Sequence, residues 1–464
     1  MTDRVMIAGT NSGCGKTTIT CAILQALVNR RLTVMSYKCG PDYIDPMFHS
    51  GVIGVPSRNL DGFFMDDRTI RSLIRKNSQQ ADISVIEGVM GYYDGLGMKD
   101  PASSYSIASA ASVPVILVVR CHGMSQSVEA VIDGFTNFRK NSMIRGVIFN
   151  ELPPSLYPEL KCYCRDRGLE ALGYFPKRKE AELKSRYLGL VTAQEVADLK
   201  VKMQNLASAA ETYLDVDGIL RLAHTAPEME KDPDGKEIIY SAPADGPSFP
   251  EQVKIRIAVA RDRAFCFYYE DNLDLLRNLG CEIVEFSPLG DGNLPDKISG
   301  LYLGGGYPEL YAEKLEENAG IRNQIRKAVR EGLPTLAECG GYMYLHRGLK
   351  DPDGRSFQMC DVLDGECVFT RKLQHFGYVT MTARKDNLLC RQGAQIRAHE
   401  FHHYISDVVP DTFLTEKGGK QWMNSVAASQ LTAGFPHIHF YSNPEMAVRY
   451  AAACREYAGR KKYV

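Results

Sequence analysis

The sequence predicts an α/β protein of two domains, the first a doubly wound sheet built around a phosphate-binding P-loop. Three observations carry this. Short β-branched runs alternate with helix-like stretches, the pattern of βα units feeding a parallel sheet. The first such run ends in G-T-N-S-G-C-G-K-T-T, Gly9 to Thr18. A later stretch, L-P-T-L-A-E-C-G-G-Y-M-Y-L from Leu333 to Leu345, has the strand, tight turn and helix of a nucleophile elbow with a cysteine at the bend.

At 464 residues the chain exceeds one ordinary core. Its 44% hydrophobic and 24% charged residues are those of a globular protein, and a formal net charge of −1 offers no global field for nucleic acid or anionic membrane. The longest apolar run, Val113 to Val119, is broken by Pro114 and is too short to span a bilayer. The N-terminus enters a strand pattern without a signal peptide. The 13 cysteines, an odd number, suit reduced thiols in the cytoplasm better than a disulfide framework. Cys162 and Cys164 lack a second pair at zinc spacing and read as core or surface thiols.

In chain order, Arg4 to Gly9 reads as a buried strand and Lys16 to Arg31 as a helix. The glycine-rich turn between them points backbone N–H groups and a helix dipole at one spot. Ser12, Gly13, Gly15, Lys16, Thr17 and Thr18 are therefore expected to cradle the phosphates of ATP, with the Thr17 hydroxyl placed for Mg²⁺. Five residues separate Gly9 from Gly15, one more than the usual loop. Strand-like Thr33 to Tyr37 leads to K-C-G-P-D-Y-I-D-P, which sets Lys38 at the sheet edge where such folds bind ligands. Asp42 and Asp45, three apart, are expected to share a face of a helical turn between Pro41 and Pro46 and to act on metal or substrate. The run Ile83 to Ile86 ends in Glu87, the expected second Mg²⁺ anchor, and Asp94 lies in the glycine-rich loop beyond. Val113 to Arg120, Met143 to Asn150 and Leu172 to Pro176 complete the strands, and Asn150 is equally a candidate reader of the purine edge and a satisfied turn asparagine. These elements make residues 1–225 one domain. Residues 226–253, rich in proline, charge and small residues, read as a linker.

The second domain, 254–464, opens with a strand from Lys254 to Ala260, a helix from Phe265 to Leu279 and an extended run from Cys281 to Phe286. Ile298 to Leu303 then runs into Gly304, Gly305 and Gly306, whose N–H groups are candidates for an oxyanion site together with that of Gly340. Cys339 sits before a short helix, a place that favours the thiolate, and Gly340 and Gly341 allow close backbone packing behind it. Its base must come from elsewhere. His399, His402, His403, His437 and His439 are the candidates, and spacing does not choose among them; His437 and His439, two apart in a strand-like run, are expected on one side of the sheet.

With these residues assembled, the chain resembles the cobyrinate/hydrogenobyrinate diamide synthase family of two-domain glutamine amidotransferases. The likeness rests on G-T-N-S-G-C-G-K-T, K-C-G-P-D-Y-I-D-P, R-N-L-D (Arg58 to Asp61), I-E-G-V-M-G-Y-Y-D-G, L-G-G-G-Y-P-E-L, A-E-C-G-G-Y-M-Y-L and H-I-H-F, and covers nearly the whole chain. It implies a first domain similar to dethiobiotin synthetase and a second similar to triad-type glutaminases, with Cys339 as nucleophile and His437 as base. Asp42, Asp45, Glu87 and Asp94 fall on family positions tied to substrate or metal. Phe435 replaces the usual tyrosine, R-A-H-E-F-H-H-Y replaces a glycine-initiated form, and His439 stands where the family's triads carry their acid.

The resemblance implies amidation of the a and c carboxylates of cobyrinic acid, in cobalamin biosynthesis, through an acyl phosphate made from Mg-ATP and ammonia released from L-glutamine. A local basic pocket, with Lys38 and Arg58 as its candidates, would hold the polyanionic ring. The expected partners are these small molecules, with a homodimer left open and no nucleic acid or membrane. Rival readings are the same reaction on hydrogenobyrinic acid or nickel sirohydrochlorin, a ligase using free ammonia or an amine, and a P-loop ATPase switch carrying a relic glutaminase.

Overall fold

Seven short runs pair in parallel in the first part of the chain: β1 (Asp3–Gly9), β2 (Val34–Cys39), β3 (Ser57–Leu60), β4 (Ile83–Glu87), β5 (Val115–Arg120), β6 (Ile144–Asn150) and β7 (Glu170–Phe175). Their order across the sheet is β3-β2-β4-β1-β5-β6-β7. The inner strands are nearly continuous buried runs because helices cover both faces, with Arg120, Arg145 and Glu170 exposed on β5, β6 and β7. One face carries α1 (Lys16–Asn29) and the helices Ala193–Tyr213 and Val216–His224, packed over Val5, Ile7, Val85, Ile116 and Ile148. The computed structural model describes residues 2–177, 193–229, 254–428 and 430–462.

The chain divides into two compact units, Met1–Ile238 and Ile239–Val464. Of the expected linker 226–253, residues 230–253 lie outside the described residues. In the second unit β8 (Ile255–Ala260), β9 (Cys281–Phe286), β10 (Gly300–Leu303) and β11 (Thr335–Glu338) form a parallel core. The strand Leu431–Gly434 extends it beside β11, and Val426–Ala428 closes that edge antiparallel. Two further sheets, of four and five strands, are built between His346 and Ile438.

The structure shortens one expected element and adds a strand to the first sheet. The helix expected from Phe265 to Leu279 spans only Glu270–Asn278. Cys266 and Phe267 donate their N–H groups to the Gly305 carbonyl instead of to a helical turn, which ties this segment to the glycine loop. β3, at the sheet edge, was not anticipated: four residues with Arg58 and Asn59 among them show no strand-like apolar run. Among the described residues no helix is long and apolar enough to cross a membrane.

Candidate active sites

The glycine-rich turn leaves β1 and enters α1 with Gly13 at φ 77° and Gly15 at φ 99°, backbone that L side chains rarely adopt. A Cβ on Gly15 would meet the Asn150 amide nitrogen at 2.2 Å. Asn150 donates from that nitrogen to the Cys14 carbonyl (2.8 Å), so in this structure it fastens the phosphate loop to the end of β6, where the sequence suggested a reader of the purine. Ser12 and Gly13 are exposed at the loop tip. The Lys16 ammonium is buried and reaches the Asn11 carbonyl at 2.9 Å. Burial, with Lys38 also nearby, lowers its pKa against the pull of Cys14 and Glu87.

Thr17 donates its hydroxyl to Glu87 Oε1 at 2.6 Å, joining the two residues expected to share a metal. Lys38 lies within 2.8 Å of the same carboxylate oxygen and 2.5 Å of Asp45 Oδ2. The cation expected to face the ring is thus held by acids of its own unit in this structure. Lys38 is buried and engaged by two acids, because β2 and β4 run side by side with Lys38 opposite Glu87. Burial alone would lower the Lys38 pKa, but Glu87, Asp45 and Asp42 raise it. Glu87 is held well below the carboxylate range: burial pushes it up, and Lys38 and His49 more than reverse that. Asp45 is the weaker acid, pushed up to about 6 by burial and by Glu87.

Asp42 and Asp45 do not share a helical face. The helix α2 (Ile44–Phe48) begins after Asp42, whose Oδ1 accepts the Ile44 N–H at 2.7 Å, and Pro46 lies inside it. Asp94 is exposed and accepts the Gly91 N–H at 2.8 Å. Arg58 donates to the Ser57 carbonyl at 3.2 Å. The sequence reading missed His49, fully buried, with Nδ1 2.9 Å from the Ser36 hydroxyl and Nε2 3.4 Å from Glu87 Oε2. A histidine in an F-H-S-G-V run carries no local sign of a carboxylate from another strand.

In the second unit Cys339 has φ 47° and ψ −102°, a strained backbone between β11 and the helix Gly340–Leu345. A Cβ on Gly341 would sit 2.1 Å from the Leu303 carbonyl oxygen, and one on Gly340 2.9 Å from Pro308, so both glycines are steric requirements. The lowering of the thiol pKa expected at a helix start is reversed here. The helix is six residues long and buried, and burial drives the Cys339 pKa up. Glu309, Glu338 and Glu400 add to this, against one Gly340 N–H.

The His437 ring packs on Gly305, where an added Cβ would lie 2.4 Å from its Cε1. The Gly304–Gly306 loop meets the cysteine turn through Gly341 N–H to the Gly304 carbonyl (2.9 Å), so one loop contacts both the His437 ring and the Cys339 elbow. Gly304 serves packing, since its own N–H donates to the Tyr268 hydroxyl at 2.8 Å. His437 and His439 do not continue one strand. Pairing ends at Ile438, and His439 Nδ1 accepts the Tyr441 N–H at 3.3 Å to cap a 3₁₀ turn. His399 lies across the ladder from His437, His402 stacks on Phe435 at 3.9 Å, and His403 lies 6.0 Å from the Phe369 ring. Burial, then His399 and His402, lowers the His437 pKa to about 3, which keeps the imidazole a neutral acceptor.

A phosphate loop with an acid at the neighbouring strand tip and a cysteine elbow on a second α/β unit define a nucleotide-dependent glutamine amidotransferase. Family models agree: residues 5–190 match the CobQ/CobB/MinD/ParA nucleotide binding domain, and residues 256–445 the CobB/CobQ-like glutamine amidotransferase domain. The chain is 38% identical over 462 residues to the cobyrinate a,c-diamide synthase of Caldanaerobacter subterraneus subsp. tengcongensis, covering 98% of this chain and 99% of that one. It is also 38% identical to the synthases named so from Thermoplasma volcanium (99% of each chain) and Listeria innocua (96% and 98%). The chain belongs to the cobyrinate a,c-diamide synthase family.

Two outcomes follow from this geometry. Gly341→Ala should cost about 3 kcal/mol of stability through overpacking on Leu303, read as a lowered midpoint in chemical denaturation. The second concerns pH. His346, His399 and His402 are lowered by burial to about 4, and His437 and His439 to about 3. Their contribution is present above the unfolded pKa near 6.5 and is lost as pH falls toward 4 to 3. Glu309 and Glu400 are raised by burial to about 7 and Glu338 to about 8, so their contribution runs the other way, gained as pH falls from 8 toward the unfolded carboxylate range. Between about pH 6 and 5 the lowered histidines, His375 among them, outnumber the three raised acids, and stability should fall with acid. Urea melts followed by the fluorescence of Trp422, the single tryptophan, measure this unit directly; a flat profile from pH 7 to 5 would contradict it.

Proposed function

We propose that this chain amidates the a and c carboxylates of cobyrinic acid, using ATP to activate each acid and glutamine as nitrogen donor, in cobalamin biosynthesis. One observation carries the reading: a single chain holds both a phosphate loop with Thr17 on Glu87 and a strained cysteine elbow sharing a glycine loop with His437. Relatives matching it end to end bear that synthase's name. The same reaction on hydrogenobyrinic acid or nickel sirohydrochlorin, and a switch ATPase with a relic glutaminase, are not favoured. Its partners are small molecules and its compartment the cytoplasm.

A carboxylate is a poor acyl donor, so the acid first takes the γ-phosphoryl group of ATP. The loop from Ser12 to Thr18 presents backbone N–H groups to the phosphates, and Lys16 is an ammonium whose burial is offset once a phosphate arrives. Thr17 and Glu87 offer a hydroxyl and a carboxylate 2.6 Å apart, an all-oxygen set that suits Mg²⁺, which would neutralise charge on the transferring phosphoryl group. Lys38 fixes Glu87, and Asp42, Asp45 and Asp94 are assigned to the acid-activating site.

At the other site Cys339 and His437 rest as neutral thiol and neutral imidazole. As Sγ attacks the glutamine side-chain carbonyl, the imidazole takes the proton and then delivers it to the departing ammonia. The N–H groups of Gly305, Gly306 and Gly340 are the proposed oxyanion donors. Water hydrolyses the glutamyl thioester, and ammonia displaces phosphate from the activated acid.

The direct assay offers Mg-ATP and glutamine with cobyrinic or hydrogenobyrinic acid and follows two successive acid-to-amide mass changes, expected with cobyrinic acid. Cys339→Ala should abolish glutamine-dependent amidation but retain synthesis with high ammonium. Loss of both in a folded protein would remove Cys339 from the glutaminase role. Lys16→Ala should stop ATP-dependent amide formation by at least about 100-fold while leaving glutamine hydrolysis measurable.

A further inference from the structure

His439 occupies the position where the family's triads carry an acid, and it is engaged otherwise: Nδ1 accepts the Tyr441 N–H and the ring lies 4.7 Å from Tyr269. The peptide that follows His437, however, is gripped on both edges. Ile438 N–H donates to Glu338 Oε1 at 3.2 Å. The Ile438 carbonyl accepts from Asn272 Nδ2 at 2.8 Å, and Asn272 Oδ1 accepts the Phe440 N–H at 2.8 Å. The Tyr302 hydroxyl closes the ring, donating to Glu338 Oε2 at 3.2 Å and meeting the Asn272 side chain. Glu338, Asn272 and Tyr302 are 2%, 0% and 1% exposed.

The three side chains come from elements with no local relation: β11 immediately before Cys339, the helix Glu270–Asn278, and β10 immediately before the glycine loop. A buried polar ring adds little net stability over an apolar core of the same shape, but once every member is bonded it admits one geometry. Here that geometry fixes the main chain beside His437 relative to the two elements that carry Cys339 and Gly304–Gly306.

Resting on the assignment of Cys339 and His437 above, we propose that Glu338, Asn272 and Tyr302 are positioning residues for glutamine hydrolysis, holding the His437–Phe440 backbone so that the ring keeps its place over Gly305. Burial raises the Glu338 pKa to about 8 against the pull of the Ile438 N–H and the Tyr302 hydroxyl, and an amide oxygen can take over the bond from Ile438.

The test is steady-state glutamine hydrolysis by the full chain. Glu338→Ala and Asn272→Leu should lower kcat by about 100-fold with KM for glutamine within about threefold, the signature of a misplaced base with intact substrate binding. Glu338→Gln keeps the oxygen facing Ile438 N–H and should restore kcat to within about fivefold of the parent. Tyr302→Phe keeps the ring volume and should lose about tenfold in kcat alone. Trp422 fluorescence checks folding, and if the first two variants unfold, Tyr302→Phe and Glu338→Gln decide. Unchanged kcat in Tyr302→Phe and Glu338→Ala, or a rise confined to KM, overturns the proposal. So does Glu338→Gln as inactive as Glu338→Ala, which would make the carboxyl a chemical participant. A Cys339→Ala chain that still hydrolyses glutamine would instead sink the underlying assignment, whatever the clamp variants do.

Discussion

Keeping Cys339 at φ 47° is the constraint on which the second unit depends. Such backbone costs about 1–3 kcal/mol, a sizeable share of an ordinary domain's stability, and persists only where its surroundings over-determine it. They do so here. Cys339 N–H donates to the Gly434 carbonyl at 2.8 Å, which continues the β11 ladder to the bend itself. Gly341 N–H is fixed on Gly304, and the Leu303 carbonyl lies where a side chain on Gly341 would be. The parallel strands β10 and β11, buried along their whole length, make both contacts rigid. The strain thus fixes the direction of the thiol and also locks the glycine loop, and with it the seat of His437.

The two candidate sites treat charge in opposite ways. In the first unit buried Lys38 sits between buried Glu87 and half-buried Asp45, with His49 adding to the hold on Glu87. In the second, burial drives His437 to its neutral form and raises the acids around the cysteine, Glu309, Glu338 and Glu400, toward theirs. The chemistry accounts for the difference. Phosphates and carboxylates bring several charges into the first site, so fixed charges of both signs are already paired there. Glutamine presents a neutral amide to the second, and a standing charge beside it would be uncompensated until the tetrahedral intermediate forms.

What was legible in the sequence is what lies close together along the chain. Gly13, Gly15, Lys16 and Thr17 form one contiguous phosphate loop because the backbone itself is the ligand, and Cys339, Gly340 and Gly341 announce the elbow because its steric demands fall on adjacent residues. What failed was burial and partnership across strands. Lys38 reads as a basic residue at a sheet edge, and only the β2–β4 register turns it into the counter-ion of Glu87. Asn150 reads equally as a purine contact or a turn asparagine, and only the fold shows its bond to Cys14. Five histidines were equivalent by spacing; the ladder and the Phe435 stack separate them. Glu338 and Asn272 gave no signal at all, since they meet at a peptide far from both in sequence.

A raised thiol pKa at Cys339 alters how it would be activated in its proposed role as nucleophile. A macrodipole needs length and a desolvated but unopposed N-terminus, and a six-residue helix supplies little of either. Against that stands full burial, which raises the Cys339 pKa and lowers that of His437 and so favours the uncharged form of each. Moving the proton from sulfur to imidazole would create two buried ions, which the surroundings of each oppose. It becomes favourable only as negative charge leaves sulfur for the substrate oxygen, where N–H groups such as that of Gly340 receive it. On the proposed roles of Cys339 and His437, proton transfer and carbon–sulfur bond formation are coupled, and the precision with which the backbone holds His437 weighs more than it would for a preformed ion pair.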